Sequence, residues 1–323
     1  MKNIRSTIML ITALGLASLP GTTLAWGPEG HAIVAQIAGH FLTPTAQAEV
    51  QTILGDKKLD DYDVASWPDI IRGTKENEAI YPHNGKWHYV DFDAAQHYTN
   101  DFKLKLPEDG QDVVDQILRW RDELVSKNES PGQKLDALRF LVHFVGDVHQ
   151  PLHCAFRYGD KGGNMIPVHS FHGEHYFFDV DTTLMDHAPN LHSVWDEYLV
   201  YDLMAGLKPE DFANQLAEEI TPAQLQGWLR DTEPLKWAVD SYWLARKQAY
   251  RWTDGTNLPF AWTLPGMDLT RENYIDSHLS IVREQLKKAG VHLAYLLNRA
   301  LDPQYLPPAV PPAETKNRTE LLS

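Results

Sequence analysis

Residues 135–153 read LDALRFLVHFVGDVHQPLH, and the reading of this stretch decides the fold class. Leu135, Leu138, Leu141, Val142, Val145 and Val148 recur at helical spacing, so one apolar stripe faces a core. Pro151 restricts the residue before it and ends the helix near Gln150. His143 and Asp147 stand four residues apart, which puts both side chains on the same face of that helix. His153 follows just past the proline break.

Helix signals continue on both sides. Thr43-Pro44 is a cap followed by proline at the first helical position, with Val50, Ile53 and Leu54 on one face and Gly55 as the stop. Phe212, Leu216 and Ile220 form another stripe, Thr221-Pro222 caps the next helix, and Tyr274 to Leu301 carries apolar positions over many turns. One segment differs. From Tyr158 to Asn190 the chain is rich in glycine, aspartate and histidine, and HSFHGEHYFFDVD, residues 169–181, has the pattern of a short hairpin around Gly173. The expected architecture is all-α: a single mainly helical domain over residues 26–302 with a short β-hairpin insertion. No internal repeat or interdomain linker interrupts it, and the proline-rich, then polar, residues 303–323 are expected to form a mobile tail.

The first 25 residues have the form of a secretory leader: Lys2 and Arg5, an apolar run from Ile8 to Leu19, then Thr23, Leu24 and Ala25. The mature chain is expected to begin at Trp26 and to be exported, periplasmic or secreted, as a monomer. No stable membrane anchor is expected, since the leader's apolar run is too short and no later segment approaches the ~20 apolar residues a spanning helix needs. Cys154 is the single cysteine, so an exported chain has no intramolecular disulfide to staple it. The net charge of −15 shows no basic stripe. That argues against nucleic-acid binding unless bound cations reverse the potential locally.

The pairing of His143 with Asp147 repeats in NLHSVWDEY as His192 and Asp196, and His31, Asp69 in SWPD and His88 in WHYVD add further groups. Any one such pair reads more readily as a buried histidine tied to an aspartate one turn away. Counted together, five histidines and three aspartates are more than a core gains from, whereas zinc takes imidazole nitrogen and carboxylate oxygen as its ligands of choice when thiolates are absent. Eight such side chains are too many for one zinc.

The order of Trp26-Gly27, His31, SWPD, WHYVD, HFVGDVHQPLH, GGN and NLHSVWD, with a late GVHLAYLLN, resembles the trinuclear zinc single-strand nucleases of the S1/P1 type, a bacterial member in this case, over nearly the whole mature chain. The resemblance implies a phospholipase C/nuclease-like helical fold and three zinc ions. Asp69, His88, His143 and Asp147 would hold the first; His153, His192 and Asp196 the second; the Trp26 amine and carbonyl, His31 and Asp147 the third. Asp147 would bridge two of them, with Asp69, Arg72 and Asp147 at the reacting centre. Two zincs sharing a carboxylate lower the pKa of a shared water toward neutrality, while the remaining ion stabilises the departing 3′ oxygen. The implied activity is hydrolysis of single-stranded DNA and RNA to 5′-phosphorylated products, with 3′-nucleotides as further substrates. Arg72 would contact phosphate, Tyr89 would stack on a base, and Asp91, Gly163 and Asn164 would bond its edge. Six positive charges against three ligand carboxylates would let an acidic protein attract phosphate.

His149 lies two residues from Asp147, off the His143 face, and is expected to be structural. His169, His172 and His175 fall in the inserted hairpin where the resemblance maps no ligand, and Cys154 reads as a small buried hydrophobe. Two other readings stay open. A zinc-dependent phospholipase C would use a similar cluster but lacks the context that GGN and WHYVD give a base pocket. A non-catalytic exported zinc-binding protein would fill its coordination shells, whereas the implied sites leave positions open.

Overall fold

The computed structural model describes residues 26–95, 104–175, 189–260 and 266–307. The leader, residues 308–323 of the tail and residues 176–188 of the inserted segment lie outside that description. Within it the chain is mainly helical, as the apolar periodicity requires.

The centre is the helix Asp276–Leu301, with Val282, Leu286, Leu293 and Leu297 fully buried. Against it pack Pro28–His40, which also contacts Pro209–Glu218, and Pro131–Asp147, which pairs with Val113–Val125. Local chemistry sets the ends. Thr43 Oγ1 accepts from Ala46 N before Pro44–Leu54, and Gly55 closes that helix. Ser130 and Gln133 form a reciprocal capping box ahead of Pro131–Asp147, as do Thr221 and Gln224 ahead of Pro222–Trp228. Such caps are each worth about 1 kcal/mol. Phe212 and Leu216 are buried on Pro209–Glu218, while Ile220 lies just beyond its end.

An aromatic cluster gathers the first half. Phe140 stacks on Trp120 at 4.3 Å and meets Trp67, Tyr81 and Trp87 edge-on. These contacts clamp residues 67–88 to Pro131–Asp147, so truncating Phe140 to alanine would cost about 3–5 kcal/mol.

One expectation needs correction. The helix expected to reach Gln150 stops at Asp147: Gln150 N donates back to Asp147 O, and the Gln150 side chain turns to accept from Leu152 N. A single turn of 3-10 helix, Pro151–Cys154, follows. The hairpin is present as Val168–Phe171 and Glu174–His175, its two loop residues His172 and Gly173 both at positive φ, as a two-residue hairpin requires. It is not alone, however. Met267–Leu269 pairs with Val168–Phe171 in parallel and completes a three-stranded sheet, a long-range pairing that no local pattern announces.

Candidate metal centre

Three sets of buried donors converge: His31, His143 and Asp147; Asp69, His88 and His143; His153, His192 and Asp196. Within each set the ligand atoms lie within 4.8 Å of one another. The helix Pro131–Asp147 supplies His143 and Asp147, and Trp67–Ile71 supplies Asp69. Pro28–His40 brings His31 from its first turn. A Cβ on Gly146 would lie 2.7 Å from His31 Nδ1, so only glycine there lets the His31 ring stack on His143 at 3.8 Å. Trp26 is fully buried beside them and donates its indole N–H to Gly146 O at 2.8 Å.

Asp147 divides its carboxylate. Oδ1 faces His31 Nε2 at 3.3 Å, while Oδ2 lies 3.0 Å from His88 Nδ1 and 3.4 Å from His143 Nε2. Asp69 closes the second set, 3.6 Å from His88 Nδ1 and 3.5 Å from His143 Nε2. In the third set His153 Nε2 and His192 Nε2 stand 3.1 Å apart, with Asp196 at 3.7 and 3.4 Å. His192 and Asp196 span an α turn and the π-helical turn Val194–Tyr198.

The backbone orients the imidazoles. The Nδ1–H groups of His143, His153 and His192 donate to Ala65 O, His88 O and Gly162 O at 2.7–2.8 Å, which leaves each Nε2 lone pair directed into its set. Gln150 donates to Asp196 Oδ1 at 2.6 Å. Gln150, Gly146 and Gly162 escape sequence reading, because their contribution is contact with a ligand from another segment. Gly146 and Gln150 at least stand inside the opening stretch.

Electrostatically the cluster calls for cations. Burial, reinforced by neighbouring histidines, holds His31 well below its ordinary value, and burial with Arg72 nearby does the same to His88. Burial pushes Asp147 well up and raises Asp196 to about 7. At His143 burial opposes the charged form, but Asp147 and Asp69 outweigh it and raise the group to about 9. Both His31 ring nitrogens, His88 Nε2, Asp69 Oδ1, Asp147 Oδ1 and Asp196 Oδ2 are buried without a directed hydrogen bond. Unsatisfied imidazole and carboxylate atoms at this density are costly in a bare core and fit zinc, which takes these donors.

The expected substrate residues gather at the edge. Arg72 Nη1 lies 3.8 Å from Asp69 Oδ1. Tyr89 is half-buried, and burial and then Asp91 raise its hydroxyl. Asp91 is itself raised by burial and then by Asp160, whose carboxylate accepts from Arg157 N and the Tyr250 hydroxyl. Asn164 donates to Lys161 O at 2.7 Å. His149, by contrast, points away, bonded to Val145 O and to His292 Nδ1 at 2.7 Å. His172 meets Asp202, His175 pairs in the hairpin, and Cys154 is buried against Val148 O.

A mainly helical domain built around buried histidine-aspartate sets that could each hold a metal ion has the form of a metal-site protein. Comparison then assigns the family. The S1/P1 Nuclease family model matches residues 26–302, and the chain belongs to that family of phosphodiester-cleaving hydrolases. It is similar to Endonuclease 4 of Arabidopsis thaliana, 30% identical over 88% of this chain and 92% of that one. It is also similar to Nuclease P1 of Penicillium citrinum, 30% identical over 84% and 97%, and to Nuclease S1 of Aspergillus oryzae, 27% identical over 90% and 96%. No helix among the described residues is long and apolar enough to cross a membrane.

Proposed function

We propose that this nuclease is an exported enzyme that holds three zinc ions and hydrolyses single-stranded DNA and RNA to 5′-phosphorylated products, with 3′-nucleotides as further substrates. The observation that carries the reading is the divided carboxylate of Asp147, whose oxygens face two different imidazole sets. Asp69, His88, His143 and Asp147 hold one ion; His31, Asp147 and the Trp26 amine and carbonyl hold another; His153, His192 and Asp196 hold the last. Zinc so bound supplies Lewis acidity to phosphate and acidifies a water nucleophile toward neutral pH.

The chain's own groups do the rest. Backbone-anchored imidazoles keep the donors at fixed spacing, so no reorganisation is needed when the phosphodiester arrives. Arg72, held beside Asp69 and near Gly85 O, presents its guanidinium to a phosphate oxygen. Tyr89 stacks on a base while Asp91, Gly163 and Asn164 bond its edge. A base must leave its duplex to enter such a pocket, which favours single strands.

Denatured DNA, duplex DNA, RNA, a 3′-nucleotide and phosphatidylcholine, each with and without chelator, test this. Cleavage of single strands and the nucleotide, abolished by chelator, with three zincs per chain by metal analysis, is the expected result. Cleavage of phosphatidylcholine alone would assign the site to phospholipid, and a single zinc per chain would overturn the three-metal reading.

A further inference from the structure

Three π-helical turns stand among the described residues: Val194–Tyr198, Ala245–Ala249 and Arg271–Ile275. Such turns are rare and frequently mark functional sites. Here all three meet. The Trp195 indole N–H, from the first, donates to the Tyr274 hydroxyl of the third at 2.7 Å, and that hydroxyl donates to Ala249 O of the second at 2.6 Å. Trp195 and Tyr274 are fully buried, and His278 stacks on the Tyr274 ring at 3.9 Å.

Asp196 lies in the first of these turns, directly after Trp195. That turn closes from Leu199 N to Val194 O, five residues back, so the step from His192 to Asp196 rotates differently from a regular α-helix. The backbone of Asp196 is held as well. Gly27 N donates to Asp196 O at 2.9 Å, and Gly27 O accepts from His31 N at 3.2 Å, so one residue starts the helix that carries His31 and braces the turn that carries Asp196. The approach is close: a Cβ on Gly27 would lie 2.7 Å from Glu197 Cγ and 3.5 Å from Glu197 Cδ.

We propose that Tyr274 and Gly27 are positioning residues for Asp196. The Tyr274 hydroxyl fixes the indole beside it, the Gly27 N–H fixes its carbonyl, and together they hold the π turn that presents its carboxylate to His153 and His192. The inference rests on the three-zinc reading above and adds two residues that act through Asp196 rather than on an ion. Without the hydroxyl, a buried indole N–H and a buried carbonyl lose their shared partner, and the turn must shift to satisfy them. A carboxylate moved in this way binds zinc more weakly but is still able to bind it.

Zinc would be titrated into the chelated protein in competition with a chromogenic chelator. The step belonging to the His153, His192 and Asp196 set is the one that His192→Ala removes. Tyr274→Phe keeps the ring and takes away only the hydroxyl. Gly27→Ala adds the Cβ that meets Glu197, and Glu197→Ala in the same chain takes away the atoms it meets. Thermal midpoints of each chelated variant would follow the fold separately from the metal, and cleavage of a single strand would be measured at limiting and at excess zinc.

Tyr274→Phe should weaken that step about 10–100-fold and leave the other steps unchanged. Gly27→Ala should weaken it too, and adding Glu197→Ala should bring the affinity back. At limiting zinc the variants' kcat should fall with KM kept, and excess zinc should restore it, which a merely loosened fold does not allow. Unchanged affinity at that step, equal weakening of every step by Tyr274→Phe, or no rescue by Glu197→Ala would overturn the proposal. Should Tyr274→Phe not fold, the Gly27→Ala and Glu197→Ala pair decides alone. An unaltered protein with no step that His192→Ala removes would overturn the three-zinc reading instead.

Discussion

Asp147 shows what a single residue can do when its position is shared. It sits on the last turn of Pro131–Asp147, where its oxygens separate toward His31 on one side and His88 and His143 on the other. Asp147→Asn replaces one oxygen and removes the charge, so metal analysis should find the variant depleted of two ions and activity should fall by several orders of magnitude. His149→Gln, two residues on, should keep its metal and most of its activity, because His149 bonds to Val145 O and His292 instead. Equal metal loss in both variants would mean that Asp147 does not bridge. The spacing of His143 and Asp147 was legible as a shared helical face. That the carboxylate would be divided between two sets came only with the family resemblance and not from local spacing, because His31 and His88 arrive from other segments.

Among the elements, the loop around Gly162 and Gly163 is the most exacting. Gly162 has φ +63, and a Cβ there would lie 2.5 Å from Leu152 O and 3.3 Å from His192 Nδ1, the nitrogen that its own carbonyl anchors. Gly162→Ala must therefore displace the loop, and His192 loses its orienting bond. Metal affinity at the His153, His192 and Asp196 set should fall about 10–100-fold, read by competition with a chromogenic chelator. The other donor sets should be unaffected; uniform loss would indicate general unfolding. Helix caps were readable at Thr43 and Thr221 because each acts on backbone only three residues away. The strand Met267–Leu269 was not, since its partner lies about a hundred residues earlier and its own three residues carry no alternation long enough to read.

At the scale of the whole molecule, buried histidines make stability depend on pH. His292, stacked on Trp237 at 4.3 Å, is held at about 4, chiefly by burial, against an ordinary 6.5. A depressed histidine contributes stability that is full above 6.5 and is lost as pH falls toward 4, because the unfolded chain then binds the extra proton. Urea midpoints of the metal-free chain should drop more steeply from pH 7 to 4.5 than those of His292→Gln. A shallower drop than the variant's would show that His292 is protonated in the fold, donating to both His149 and Trp228 O. The exported-enzyme proposal has its own test at the start of the chain. A version beginning Met-Trp26, with methionine retained, should bind one metal fewer than one beginning at Trp26, because an amide nitrogen is a poor ligand where an amine, of ordinary pKa ~7.7–8.0, is a good one. Equal metal content would remove the Trp26 amine from the ligand set.

By itself the sequence determined the helical class, a few helix ends such as those at Thr43, Gly55 and Thr221, and the identities of the eight side chains that converge, because periodicity, capping and the pairing of histidine with aspartate one turn on are properties of a few adjacent residues. It also carried the family, whose motifs stand in order along the chain. Only the tertiary structure decided the distances at which those side chains meet, that Gly146 admits the His31 ring, and that Gln150 and three backbone carbonyls orient the ligands. The physical reason is range. Backbone hydrogen bonding and side-chain direction act over three or four residues, whereas donor geometry and charge clustering depend on distances between segments separated by tens of residues, which only packing around the central helix sets.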